Sequence, residues 1–243
     1  MSNLPKGFRA SAIAAGLKST GALDLTLIVN DGPRFDAAAV YTTNKVVAAP
    51  VIWSREVTKG RLVRAAVLNS GGANACTGPQ GFADTHQTAE KVGELLAISS
   101  GEVVVCSTGL IGELLPMPKI ISGLESIATS LKMDSLDDVS RAIMTTDSVP
   151  KVATSKVNGV EFAGIAKGAG MLAPALATML SVVMTDAVLP ENAQTIFSRV
   201  TDRTFNRIDS DGCTSTNDTV LLMGSGASGV ELKEAELEAA LME

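Results

Sequence analysis

Short apolar runs, each closed by a cluster of glycine and small polar residues, recur along the chain and predict buried strands. LDLTLIVN (residues 23–30) ends in the turn Asp31, Gly32, Pro33; AAAVYTT (37–43) and VVAAPVIW (46–53) follow. RAAVLNSGGANACTG (64–78) and EVVVCSTGLIG (102–112) each run from an apolar segment into a glycine-rich turn, and TVLLM (219–223) is a last short strand. Helical spacing instead predicts helices over residues 81–96, 120–131, 135–147, 193–208 and 231–243, with Ser135 and Asp138 in a capping pattern. Residues 151–162 predict a hairpin. In KGAGMLAPALATMLSVVMTDA (167–187), Pro174 breaks any continuous helix, and the β-branched run after it predicts a buried strand with Thr178 at its entrance. Strands alternating with helices mark an α/β protein.

The composition narrows the function. The chain has 243 residues, 46% hydrophobic but only 3% aromatic, so its core is built from Ala, Val, Leu, Ile and Met. A net charge of −6 without any basic run excludes a nucleic-acid partner. Three scattered cysteines (Cys76, Cys106, Cys213) and a lone histidine suit neither a disulfide framework nor a zinc site. Residues 10–17 are too alanine-rich for a signal peptide, and no apolar run reaches the roughly 18 residues of a membrane span. A cytoplasmic location is expected.

One formal motif, GSGASG (224–229), has the G-x-G-x-x-G spacing of a dinucleotide loop. Glu231, Glu234 and Glu236 behind it would repel a pyrophosphate, so it is read as a turn. His86 is expected at the surface or in a capping role, and Cys106 as a buried small hydrophobe. The polar turns offer Asn69, Ser70, Asn74 and Thr77 as groups to face a ligand. Such a set lacks the histidine of a Ser-His-Asp triad. It leaves open a threonine whose own α-amino group serves as base once the preceding peptide bond is cut.

AAAVYTTNKVVAAPV, NSGGANACTGPQGF, VCSTGLIGELLPM, RAIMTTD, KGAGMLAPALATML with MTDA, and DGCTSTNDT, in this order, resemble the glutamate N-acetyltransferase (ornithine acetyltransferase) family of arginine biosynthesis over essentially the whole chain. The resemblance implies a layered α-β-β-α sandwich of mixed sheets with helices outside. It implies self-cleavage between Ala177 and Thr178, giving an α chain (1–177) and the opening of a β chain (178–243) whose remainder is absent. Thr178 then becomes the acetyl-accepting nucleophile. Thr108 and Gly109 match the oxyanion-stabilising pair, and Thr145 and Lys167 match substrate-contacting positions. The implied reaction moves an acetyl group from N2-acetylornithine to glutamate through an acetyl-threonine, and some members also accept acetyl-CoA. No metal or cofactor is implied, and two α and two β chains are expected to associate. Ala175 and Leu176 before the cut site, and Gly72 in NSGGANA, depart from the common pattern but leave the Ala-Thr junction intact. The alternatives are a self-processing threonine amidohydrolase or aminopeptidase, and a non-catalytic binding module or fragment.

Overall fold

The computed structural model describes residues 3–171, 179–209 and 211–243. Two sheets stack face to face. The first has four strands in the order β1 (Phe8–Ile13), β2 (Leu25–Asn30), β4 (Ala65–Asn69), β5 (Val103–Ser107). The second has five, in the order β3 (Asp36–Tyr41), β9 (Thr219–Gly224), β8 (Leu180–Thr185), β7 (Val160–Lys167), β6 (Lys151–Val157). Both are mixed: β4 runs parallel to β5 and β8 to β9, the remaining pairs being antiparallel.

Alternate side chains of each strand point to opposite faces, which sorts the apolar residues into three layers. Ile28, Ala66, Leu68, Val104 and Cys106 of the first sheet meet Ile165, Val182, Met184, Leu221 and Met223 of the second in the central layer. Their neighbours Leu27, Val67 and Val105 face outward against α2 (Gly78–Leu96) and α3 (Met117–Ala128). Phe162, Val220 and Leu222 face the other way, against α5 (Ala193–Arg203) and α6 (Glu234–Met242). This is the layered α-β-β-α arrangement. Strands apolar on both faces are what such double burial requires.

Two of the open strand edges, those of β5 and β3, are covered by side chains. On β5, the Trp53 indole donates to the Val103 carbonyl at 3.0 Å and Ser54 Oγ to that of Val105 at 2.8 Å. On β3, Gln194 of α5 pairs with both backbone groups of Ala39. The exposed strand β6 carries Lys151 and Lys156, charges that discourage edge-to-edge pairing.

Most expected elements form, with four corrections. Residues 46–53 are no strand: α1 (Ala49–Lys59) starts there, with Pro50 in its first turn, where a missing amide is harmless, and Pro50, Ser54 and Val57 buried at helical spacing. Strand β1 lies where the sequence showed no clear run. The helix expected over 135–147 is only α4 (Leu136–Ala142), and Ser135 does not cap it; its hydroxyl donates to the Lys132 carbonyl at 3.1 Å. The helix expected over 193–208 ends at Arg203, and a single 3-10 turn follows at Phe205–Arg207. The hairpin closes through Asn158 and Gly159, both at positive φ (+51° and +86°), as a tight two-residue turn favours. Among the described residues no helix is long and apolar enough to cross a membrane.

Candidate active site

Because β4 and β5 are parallel, the turns leaving their C-terminal ends lie side by side. Gly72 bridges Thr108; the Ala73 amide donates to the Leu110 carbonyl and that of Gly112 to the Ala75 carbonyl, both at 2.9 Å. Asn217 reaches these turns from the opposite sheet, donating through Nδ2 to the Ala73 carbonyl at 2.5 Å and the Ser107 carbonyl at 2.8 Å. The segments NSGGANACTG, CSTG and DGCTSTNDT are thus fastened together. The side chains expected to face a ligand are taken up by bonds inside the protein instead, only Asn69 joining one turn to the other. Asn69 Nδ2 donates to Ser107 Oγ at 2.6 Å, Asn74 Nδ2 to the Gly81 carbonyl at 2.8 Å, and Thr77 Oγ1 to Asn74 Oδ1 at 2.7 Å. Ser70 Oγ donates to the Ala142 carbonyl.

Lys167 ends β7, and the strand register sets it opposite Leu180, two positions beyond Thr178. Its residue exposure is 1%, which removes the reading of a solvated loop lysine. Its ammonium donates to Thr108 Oγ1 at 2.6 Å. Burial pushes the Lys167 pKa down to about 8, with Asp147 and Asp218 opposing and Lys151 adding to the fall. An ammonium on one lone pair of the Thr108 oxygen leaves the hydroxyl's own proton for another acceptor. Beside it Gly109 is exposed, and among the described residues its amide donates to no acceptor. Its φ of +133° and the Gly72 nitrogen 2.8 Å from where a Cβ would stand restrict the position to glycine.

Thr145 is exposed and joins the group through its backbone. Its amide donates to Asp147 Oδ2 at 3.2 Å, while Asp147 Oδ1 accepts the Gly168 amide at 2.8 Å and the Lys151 ammonium. Burial works against ionisation of Asp147, but the Lys151 ammonium and these two amides outweigh it and hold the carboxyl below its usual range. On the other side, Asp218 Oδ1 accepts the Met179 amide at 2.9 Å. Burial pushes the Asp218 carboxyl up to about 6, against the Met179 amide, the Ser215 and Thr42 hydroxyls and the Lys167 charge.

Four of the expected site residues, Thr108, Gly109, Thr145 and Lys167, therefore gather at one end of the sandwich. Ala177 and Thr178 lie outside the described residues. Asp147, Asn217 and Asp218, which organise the site, were not singled out from sequence. For Asn217 and Asp218 the available signal was an amide and an acidic residue immediately before a fully buried strand; Asp147 precedes the exposed strand β6 and carried no such signal.

Other candidates fall away. His86 is on the surface of α2, with Glu90 at 3.5 Å and the Trp53 ring centroid at 5.0 Å. Cys106 is buried, which pushes its thiol up to about 12. In GSGASG the amides of Gly226, Ser228 and Gly229 are taken by the carbonyls of Ala187, Asp186 and Gly226, and α6 begins only at Glu234, so no phosphate cradle exists. Among the described residues no group of His, Cys, Asp and Glu is placed to hold a metal. A cavity of about 560 Å³, bounded by Phe162, Val183, Phe205 and Leu241, lies on the outer face of the second sheet and contains none of the expected site residues.

The model of the ArgJ family matches residues 9–243. The arginine biosynthesis bifunctional protein ArgJ of Thermobifida fusca is 53% identical over 240 residues, covering 98% of this chain and 63% of that protein. The chain spans about 60% of the length of the curated relatives it matches. The crystal structure of ornithine acetyltransferase complexed with ornithine from Mycobacterium tuberculosis is similar at a TM-score of 0.63 and 44% identity, covering 72% of this chain and 94% of that one. An L-aminopeptidase D-Ala-esterase/amidase from Ochrobactrum anthropi, described as a variant of the Ntn-hydrolase fold, shares the fold at 10% identity and a TM-score of 0.52, over 99% of this chain and 85% of that one.

Proposed function

The chain belongs to the ArgJ family, and on that premise we propose that it is the α part (1–177) and the opening of the β part (178–243) of a self-processing acetyltransferase. The full protein moves an acetyl group from N2-acetyl-L-ornithine to L-glutamate. One observation carries this reading: Lys167, set opposite Leu180, grips the Thr108 hydroxyl at 2.6 Å beside the free Gly109 amide. A pair of donors is thereby tied to the strand position opposite Leu180, where β8 begins.

Two events follow from that arrangement. In processing, Thr178 Oγ attacks the Ala177 carbonyl carbon; the C–N bond breaks as the nitrogen takes the hydroxyl proton, and water hydrolyses the resulting ester. The Ala177 carboxylate and the Thr178 α-amine are the products. In transfer, that amine, with an ordinary pKa of about 7.7–8.0, takes the Thr178 hydroxyl proton as the oxygen attacks the acetyl carbonyl. The Thr108 hydroxyl and the Gly109 amide donate to the developing oxyanion, and Lys167 strengthens the first donor through its charge. Collapse expels ornithine and leaves the acetyl ester on Thr178. The glutamate amine then attacks the ester and departs as N-acetylglutamate.

Lys167 and Thr145 are also the residues proposed to contact substrate. Acetyl-CoA is a further donor to be tried, and the cut chains are proposed to assemble as two α and two β in the cytoplasm. The test uses the full-length protein. Intact mass should show two chains divided at 177/178, incubation with N2-acetylornithine should leave an acetylated Thr178 peptide, and release of ornithine should show ping-pong kinetics with glutamate. Acetyl transfer that survives in Thr178→Ala would sink the assignment. Acetate release without any need for glutamate would favour the amidohydrolase.

A further inference from the structure

The Lys167 ammonium is buried with no direct partner of opposite charge. Among the described residues it makes one hydrogen bond, to the neutral Thr108 hydroxyl, and no ion pair. A charge taken out of water is ordinarily paired, so the compensating charge has to stand nearby without touching it.

Asp147 is placed to supply it. At the end of β7 its Oδ1 accepts the Gly168 amide at 2.8 Å and so holds the peptide unit that leaves Lys167. Its Oδ2 accepts the Thr145 amide at 3.2 Å. The turn that carries Thr145 and Asp147 is fastened from behind as well: Lys18 donates to the Met144 carbonyl at 2.8 Å, and Ser70 donates to that of Ala142. The Asp147 side chain is fully buried, and its third partner is the half-exposed Lys151 ammonium. We propose that Asp147 is the positioning residue of Lys167: one buried carboxylate fixes the Gly168 peptide, holds the Thr145 turn to the same point, and provides the counter-charge for an ammonium directed at Thr108. This rests on the reading of Lys167 as a charged group of an acetyl-transfer site.

The charges that act on Lys167 come from three places in the fold. Burial lowers its pKa to about 8; Asp147 and then Asp218, just before β9, oppose the fall, and Lys151 at the start of β6 adds to it. Lys18, which also donates to the Leu23 carbonyl at 2.9 Å, is a further charge near Asp147. With a neutral residue at 147, Lys167 gives up its proton at lower pH, and the charge that strengthens the Thr108 donor goes with it. The kcat/KM profile reports the free enzyme's acid and base, and the loss of a required ammonium forms its alkaline limb.

The test is Asp147→Asn in the full-length protein, with N2-acetylornithine as the varied substrate. Wild-type kcat/KM should fall above an alkaline pKa of about 8. In the variant that limb should move to lower pH by about one unit, the low end of the shift an opposite charge produces. A kcat/KM reduced equally at every pH, with the limb displaced by less than about half a unit, would make Asp147 a mere brace between two turns and overturn the proposal. A wild type with no alkaline limb there overturns it too. If Asp147→Asn yields no cut protein, Lys151→Met decides, since it removes the opposing charge from an exposed strand: a limb at higher pH supports the counter-charge, and an unmoved or lowered one overturns it. Failure of the underlying reading is seen separately, as a wild-type protein that is not divided at 177/178 or a Thr178→Ala variant that still transfers acetyl.

Discussion

Gly109→Ala places a methyl group where the structure has none to spare. An added Cβ would stand 2.8 Å from the Gly72 nitrogen, 3.0 Å from the Gly72 Cα and 3.1 Å from the Gly71 carbonyl carbon. All three are backbone atoms, so no side chain can swing aside. The φ of +133° adds conformational strain of about 1–3 kcal/mol for an L side chain, and forcing a methyl into filled space costs about 1–3 kcal/mol more. Taking the middle of each range, the variant should be about 4 kcal/mol less stable. Gly112→Ala is the internal control: φ is +89°, but nothing lies within 4 Å of the new methyl, so only the strain of about 2 kcal/mol remains. Equilibrium urea unfolding of the two variants, compared at a common m value, reads the difference. In the full-length protein, relief of the clash must move the Gly109 amide, so acetyl transfer should fall by about 10²–10³-fold, as for loss of an oxyanion donor. Gly112→Ala should keep most of the activity. A Gly109→Ala protein as stable as Gly112→Ala would show that the Gly71–Gly72 turn yields freely, and the argument for an immobile donor pair would be refuted.

Thr108→Val keeps the volume but leaves the buried Lys167 ammonium without its acceptor, so stability should fall by about 1–3 kcal/mol; transfer by the full-length protein should drop about 10²–10³-fold. Asn217→Ala strips the donors from the Ala73 and Ser107 carbonyls, two buried acceptors. A loss of about 2–4 kcal/mol by urea unfolding is expected, with faster hydrogen exchange confined to the two glycine turns. The pH dependence has two windows. Lys167 titrates near 8 in the folded chain against 10.5 unfolded, so between those values the unfolded state binds more protons and stability rises with pH. Asp218 titrates near 6 against 3.8, so there the folded state binds more protons and stability falls as pH rises from 3.8 to 6. Thermal melts across pH should show both slopes; Lys167→Met should flatten the upper one, and an unchanged upper slope in that variant would contradict the assignment.

The α/β layering was legible because the strands are apolar on both faces: Leu180, Val182 and Met184 point to the central layer while Val183 points out. Residues 46–53 misled for a related reason. A short apolar run looks the same whether a strand or a helix buries it, and only Pro50, which suits the first turn of a helix, distinguishes the two here. Strand β1 was hidden by Arg9 and Ser11, whose polar side chains find Asp31 and Ser130. At the site the limit is different. Nothing local distinguishes a lysine that solvates from one that is buried; Lys167 is buried because Thr108, 59 positions away, receives it. Asn217 reaches 144 positions to Ala73. The small polar turns were expected to present many groups to a ligand. Most of those groups are consumed in hydrogen bonds within their own loop or to the elements beside it, whereas the Thr108 hydroxyl receives Lys167 and keeps its own proton to donate. A site rich in short hydroxyl and amide side chains thus becomes selective by self-satisfaction: the more completely the surrounding turns pair internally, the fewer positions remain where an oxyanion can be stabilised.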